Sequence, residues 1–232
     1  MSEGDVMTAG FGAFGKMPSV GDFFRINVPA GFVSAWDAWI QNGMLAAQGA
    51  LGDNWDTYYM SAPIWRFCLS PGLAGPQKVL GVLMPSVDRV GRRFPLTLMA
   101  PLQTPGPAQL DHFSEEALFV RLEDLALGAL DDTMTRDGFE AGLAGVTAPD
   151  MRPNTPLRGA GRSLVLTPAV KDGLLPDLAA GLLAGRFENP SLWSAVVNEI
   201  PRLIVCEGLP QGPDMLGLFN LSAPIWSEAQ PL

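Results

Sequence analysis

Lys78-Val79-Leu80-Gly81-Val82-Leu83-Met84-Pro85-Ser86-Val87-Asp88-Arg89-Val90-Gly91-Arg92-Arg93-Phe94-Pro95-Leu96-Thr97-Leu98-Met99-Ala100 decides how this chain is read. Two nearly continuous apolar runs flank a turn that carries three arginines and one aspartate. Strand, charged turn, strand is the simplest assignment. Neither run alternates apolar with polar residues, so both faces of their sheet need cover from other layers. Charges do not enter such a core unpaired. Asp88, Arg89, Arg92 and Arg93 therefore belong at a rim, paired with one another or presented to a ligand.

Outward from this hairpin, further strands are expected at 8–14, 64–69, 162–167 and 202–206. A long helix is expected over Phe32–Leu51, where Phe32, Trp36, Ile40 and Met44 recur every fourth position. Ser114 reads as the N-cap of a second helix, with Glu115 and Glu116 in the first turn, where the helix dipole favours them. Weaker helical patterns cover 135–146, 191–198 and 214–220, and another starts at Pro176. Interspersed strands and helices predict an α/β sandwich with helices on both faces of one sheet. The segment 101–107 holds three prolines in seven residues and could divide the chain. The part before it supplies only one long helix for several strands, enough for one face. A single domain over 1–232 follows.

Composition narrows the function. The chain has 232 residues, 47% hydrophobic and 17% charged, as a compact fold requires. A net charge of −9 lacks the cationic footprint of nucleic-acid binding and disfavours anionic membranes. Met1 to Asp5 is acidic and leads into no signal-type apolar run, and no stretch reaches membrane-spanning length. Cys68 and Cys206 sit inside apolar runs, as inert packing does, and suggest no disulfide framework. The expectation is a cytoplasmic protein.

The chemical candidates are few. Gly10-Phe11-Gly12-Ala13-Phe14-Gly15-Lys16 matches a G-x-G-x-x-G string and the start of a phosphate loop. Met17 stands where such a loop needs Ser or Thr, and Pro18 precludes the helix that should follow. A glycine-rich strand with a tight bend is the better reading. His112, the only histidine, reads as a solvated loop residue, and no metal set or cofactor site is expected. Asp22, between Ser19 and Arg25, reads as an Asx-type turn or an ion pair. Trp55, Tyr58 and Tyr59 cap the core edge or form a recognition patch, with core the commoner outcome. Ser61-Ala62-Pro63-Ile64-Trp65 recurs as Ser222-Ala223-Pro224-Ile225-Trp226 with unmatched flanks, and is taken as coincidence. For Asp88 to Arg93 two readings stay open. Arginine forks suit a phosphate or an acidic partner, and equally suit internal pairing.

Several segments together carry a resemblance. They are Gly15-Lys16-Met17-Pro18-Ser19-Val20-Gly21-Asp22-Phe23, Trp36-Asp37-Ala38-Trp39, Ser61 through Phe67, and Gly81 through Leu96. Ser191-Leu192-Trp193 and Leu203 through Pro210 extend it more loosely. The chain resembles the TagF (ImpM) proteins of bacterial type VI secretion systems. Met17 stands where the family more often has leucine, and Ser194 where a second tryptophan is common. The resemblance implies a three-layer αβα sandwich around a mixed central sheet. It implies a non-enzymatic, cytoplasmic, post-translational repressor linked to the forkhead-associated scaffold protein of the secretion apparatus. It transfers no catalytic residue. The expected contact rim is Asp22, Arg25, Asp88, Arg89, Arg92 and Arg93. Two alternatives accompany it: a nucleotide- or phosphate-binding enzyme or sensor using Gly10 to Lys16 with Arg89, Arg92 and Arg93, and a structural subunit of the apparatus. Oligomeric state stays open.

Overall fold

In a computed structural model, residues 10–29, 31–149 and 152–231 are described. The N-terminal reading over Met1 to Asp5, and Thr8 and Ala9 of the first expected strand, lie outside them. The order of elements is β1 (Gly12–Gly15), β2 (Phe24–Ile26), α1 (Phe32–Leu51), α2 (Trp55–Ser61), β3 (Trp65–Leu69), β4 (Lys78–Met84) and β5 (Leu96–Leu102). Then follow α3 (Ala108–Ser114), α4 (Glu116–Gly128), α5 (Arg136–Ala144), β6 (Arg158–Ala160), β7 (Ser163–Val165), α6 (Leu174–Leu183), β8 (Pro190–Val197), β9 (Ile200–Glu207) and α7 (Gly212–Phe219).

Seven strands form one sheet in the order β2-β1-β5-β4-β3-β8-β9. Every neighbouring pair is antiparallel, so the sheet is not mixed. The reason lies in the connections. Loops over 70–77 and 85–95 return β3 to β4 and β4 to β5, and the chain comes back through α3–α6 to lay β8 antiparallel on the free edge of β3. Pro190 to Val197 is therefore strand, where the sequence pattern suggested helix. Burial of Pro190 to Trp193 on both sheet faces removes the alternation that marks a strand.

The sheet divides the interior into two cores, one under each helical layer. Under α1, α2 and α7 lie Phe32, Trp36, Ile40, Tyr59, Phe67, Trp193 and Met215. The Trp36 indole donates to Thr97 Oγ1 at 2.8 Å, so its one polar atom is satisfied at the sheet. Under α3, α4 and α5 lie Leu80, Val82, Leu98, Phe119, Leu122, Phe139 and Leu143. The three-layer αβα sandwich is thus what the sequence implied.

The recurring pentapeptide has a packing consequence. Trp65 and Trp226 stack 6.0 Å apart with planes 7° from parallel. Their indoles donate to consecutive carbonyls at the end of α7, Leu218 at 2.8 Å and Gly217 at 3.1 Å. Carbonyls in a last helical turn have no partner within the helix, so the two tryptophans close α7.

The second core also holds charge. Lys78 pairs with Asp111 and donates to Thr104 Oγ1 and Gly106 O. Arg66 grips Glu123 with two bonds of 2.7 and 2.9 Å and reaches Glu116 at 2.7 Å. His112 is not solvated. It lies buried on α3 with Nε2 2.9 Å from Ser194 Oγ. Burial first, then the nearby Arg66 charge, push its pKa down to about 3. The segment 101–107 hid α3 from sequence reasoning, because β5 runs through Pro101 and the helix begins directly after Pro107.

Candidate functional site

The rim forms where the loop after β1 meets the β4–β5 turn, and Asp88 is its centre. The turn is fixed by its own backbone first: Asp88 N–H donates to Arg92 O at 3.1 Å, and Gly91 N–H to Asp88 O at 2.8 Å. Asp88 Oδ1 then accepts from the backbone N–H of Val90 at 3.1 Å and of Arg92 at 2.9 Å. Asp88 Oδ2 takes Arg92 Nε at 2.7 Å and Lys16 Nζ at 3.0 Å. Burial opposes the charge on this carboxylate. The hydrogen bonds from Arg92 and Lys16 outweigh burial and hold its pKa well below the usual carboxylate range. The Asp88 side chain is fully buried, so it is a structural hub and no part of a contact surface.

Lys16, read from the sequence only as the end of the glycine string, is the rim residue that sequence reasoning missed. Its ammonium is buried, bound to Asp88 and to Arg92 O at 3.4 Å, with the Phe23 ring 4.9 Å away. The available signal was a lone lysine at the end of an apolar strand, which must find a counter-charge if it turns inward.

The Gly10 to Lys16 string is no phosphate cradle. Gly12–Gly15 is strand β1, held between β2 and β5. Gly15 has φ 137°, and a Cβ there would collide with the carbonyl oxygen of Pro95. Its glycines allow close backbone approach inside the sheet, and its lysine already has a carboxylate.

The other rim residues separate. Arg92 donates from Nη2 to Gly21 O at 2.8 Å, which ties the turn to the loop after β1, yet its side chain is 57% exposed. The backbone N–H of Arg89 donates to Val20 O at 3.1 Å, and its guanidinium lies over Gly21. That guanidinium has no ion pair or hydrogen bond among the described residues. Among the described residues Asp22 accepts only from its neighbour, Phe23 N–H at 2.8 Å, a local turn contact. Arg25 on β2 stands over the Phe14 ring, 5.6 Å away. Arg93 pairs with Asp56 of α2 at 2.7 Å. Of the six expected rim residues, only Asp88, Arg89 and Arg92 share one cluster. Around it Phe23, Phe94 and Phe14 pack edge-on or stacked, with Phe23 44% exposed. Below the turn, Tyr59 OH donates to Ser86 O at 2.8 Å, and burial raises its pKa so that it stays a donor.

The arrangement therefore presents a rigid cationic edge with one aromatic ring beside it. The two cysteines do not contribute. Burial raises the Cys68 thiol well above its ordinary value and pushes Cys206 up to about 11. No group of three or more His, Cys, Asp or Glu side chains among the described residues converges as a metal-ligand set.

The TagF N-terminal domain family, described as type VI secretion system-associated, matches residues 12–146, which include the whole rim. The chain belongs to the TagF family. The crystal structure of PA0076 from Pseudomonas aeruginosa PAO1 is similar throughout, with 32% identity, a TM-score of 0.76, and coverage of 96% of this chain and 97% of that one. No curated protein matches. This TagF chain is thus a type VI secretion system-associated protein. Its family segment closes at 146, while β8 and β9 of the same sheet come from beyond it. Among its described residues no helix is long and apolar enough to cross a membrane.

Proposed function

We propose that this chain is a cytoplasmic, non-enzymatic regulator that restrains a bacterial type VI secretion system by binding a scaffold or assembly component. The forkhead-associated protein of its own gene cluster is the first candidate. One observation carries the reading. The rim turn is locked by a buried carboxylate, while Arg89, at its outer side, keeps an uncommitted guanidinium. A hydrogen-bonded turn that holds out a free arginine fork suits recognition of an acidic protein surface. Membership of a secretion-associated family supplies the biological setting.

Titration calorimetry of the full chain with the purified scaffold tests this. Binding is expected, with at least about tenfold loss on Arg89→Glu, as for a charge reversed at a contact. Undetectable binding, with secretion unchanged on deletion and overexpression, overturns the reading. Stoichiometric co-purification with the assembled apparatus would instead make the chain a structural subunit.

A further inference from the structure

The chain has 15 lysines and arginines. Most are engaged. Lys16, Arg66, Lys78, Arg92, Arg93 and Arg152 form ion pairs. Arg121 and Arg136 donate to backbone carbonyls, and Arg25, Arg186 and Arg202 stand over aromatic rings. Four are left without any such contact among the described residues: Arg89, Arg158, Arg162 and Lys171. Three of these four fall within one short stretch. From Arg152 to Lys171 there is no Asp or Glu, in a chain with 24 of them.

That stretch builds β6 and β7, a two-stranded sheet of its own. Arg158 pairs with Val165, Gly159 with Leu164 and Ala160 with Ser163. Gly161 has φ 60° and opens the two-residue turn, as a type II′ hairpin requires. All six strand residues are exposed. Leu164 is 62% and Val165 46% exposed. The hairpin's base is fastened: Asp177 of α6 accepts from Arg152 at 2.9 Å, Thr155 Oγ1 accepts from Ala169 N–H at 3.3 Å, and Leu157 lies against Gly181. Among the described residues nothing covers the strands above that base on either face. A lone two-stranded ribbon is marginal in water, and a third strand is what usually stabilises it.

We propose that the β6–β7 hairpin is a second docking surface, which accepts an extended acidic segment of a partner protein as an added strand. The unpaired edge supplies backbone donors and acceptors. Side chains set the preference. Arg158 and Val165 share one face and Leu164 takes the other, with Arg162 at the tip, so the segment should alternate acidic and apolar residues. Charge complementarity selects an acid. A nucleic acid or an anionic bilayer meets the repulsion of a chain with net charge −9, whereas a short peptide engages only the cationic arm.

The test uses the full chain and a fluorescein-labelled, blocked octapeptide that alternates glutamate and valine, read by anisotropy. Binding is expected, about tenfold weaker in the triple variant Arg158→Glu, Arg162→Glu, Lys171→Glu. It should be lost when alternate peptide nitrogens are methylated, which blocks strand pairing but keeps every charge. Amide hydrogen exchange should slow at 158–165 only, and Arg89→Glu should leave all of this unchanged, separating the hairpin from the rim. No binding at millimolar peptide overturns the proposal. So does equal binding of a lysine–valine peptide or of the methylated one. Tighter, variant-sensitive binding to phosphatidylserine vesicles or to duplex DNA also overturns it.

Discussion

The rim turn and the β6–β7 hairpin both join antiparallel strands and both carry arginine, yet they use that charge in opposite ways. At the rim, Asp88 is buried and gathers Lys16, Arg92 and two backbone N–H groups. At the hairpin no carboxylate occurs between Arg152 and Lys171, and the guanidinium groups of Arg158 and Arg162 meet no protein partner among the described residues. One acidic residue separates a turn that organises itself from a turn that awaits something else. Counting cations does not tell these apart; locating the counter-charge does.

Replacing the hub should break the contrast most. Asp88→Asn leaves the buried Lys16 ammonium without its counter-charge and loosens the turn from the loop after β1. It should give the largest fall in Tm of any single change at the rim, read by thermal unfolding, with regions outside the rim such as α4 unaffected in local structure by NMR.

Acid unfolding sharpens the comparison next. The folded pKa of His112 is lowered, so its contribution is complete above the unfolded value of about 6.5 and is lost as pH falls from there towards its folded value of about 3. Asp88 is also lowered, so its contribution is complete above an unfolded value of about 3.9 and is lost only below that. Denaturant titrations across pH should show two successive declines. His112→Gln, which can still meet Ser194, should remove the upper one, and Asp88→Asn should shrink the lower, to which Asp131, lowered by its bonds from Thr133, also contributes.

Arg92→Ala should cost about 1 kcal/mol, since a half-exposed guanidinium gives up its bonds to Asp88 and Gly21 O while Lys16 still holds the carboxylate. The smallest effect on stability should come from the triple reversal at Arg158, Arg162 and Lys171. Surface changes without native partners stay within about 0.5 kcal/mol, and urea midpoints should show this.

Legibility followed the same logic. α1 could be bounded to the residue, because its apolar positions recur every fourth place and glycine closes it. β4 was equally plain as a run buried throughout. Thr135, which accepts from Gly138 N–H, marks the start of α5 as an N-cap should. β8 and α3 were not legible, since burial on both sheet faces erases period in one and flanking prolines disguise the other. At the site, the sequence could place Asp88 and its arginines on one turn. It could not show that the turn closes on Lys16, because that pairing spans the sheet from β1 to β4 and leaves no local pattern. Nor could it separate Arg25 and Arg93, which neighbour the cluster in sequence or strand order yet find Phe14 and Asp56 instead.

The sheet order has a practical consequence for anyone trimming the chain. The family segment ends at 146, but β3 lies inside the sheet only because β8 covers its outer side. A fragment cut there would lose Trp193 from the aromatic core and uncover a strand whose every residue is apolar or buried. Such a margin invites self-association, so the truncated protein should precipitate rather than behave as a minimal folding unit.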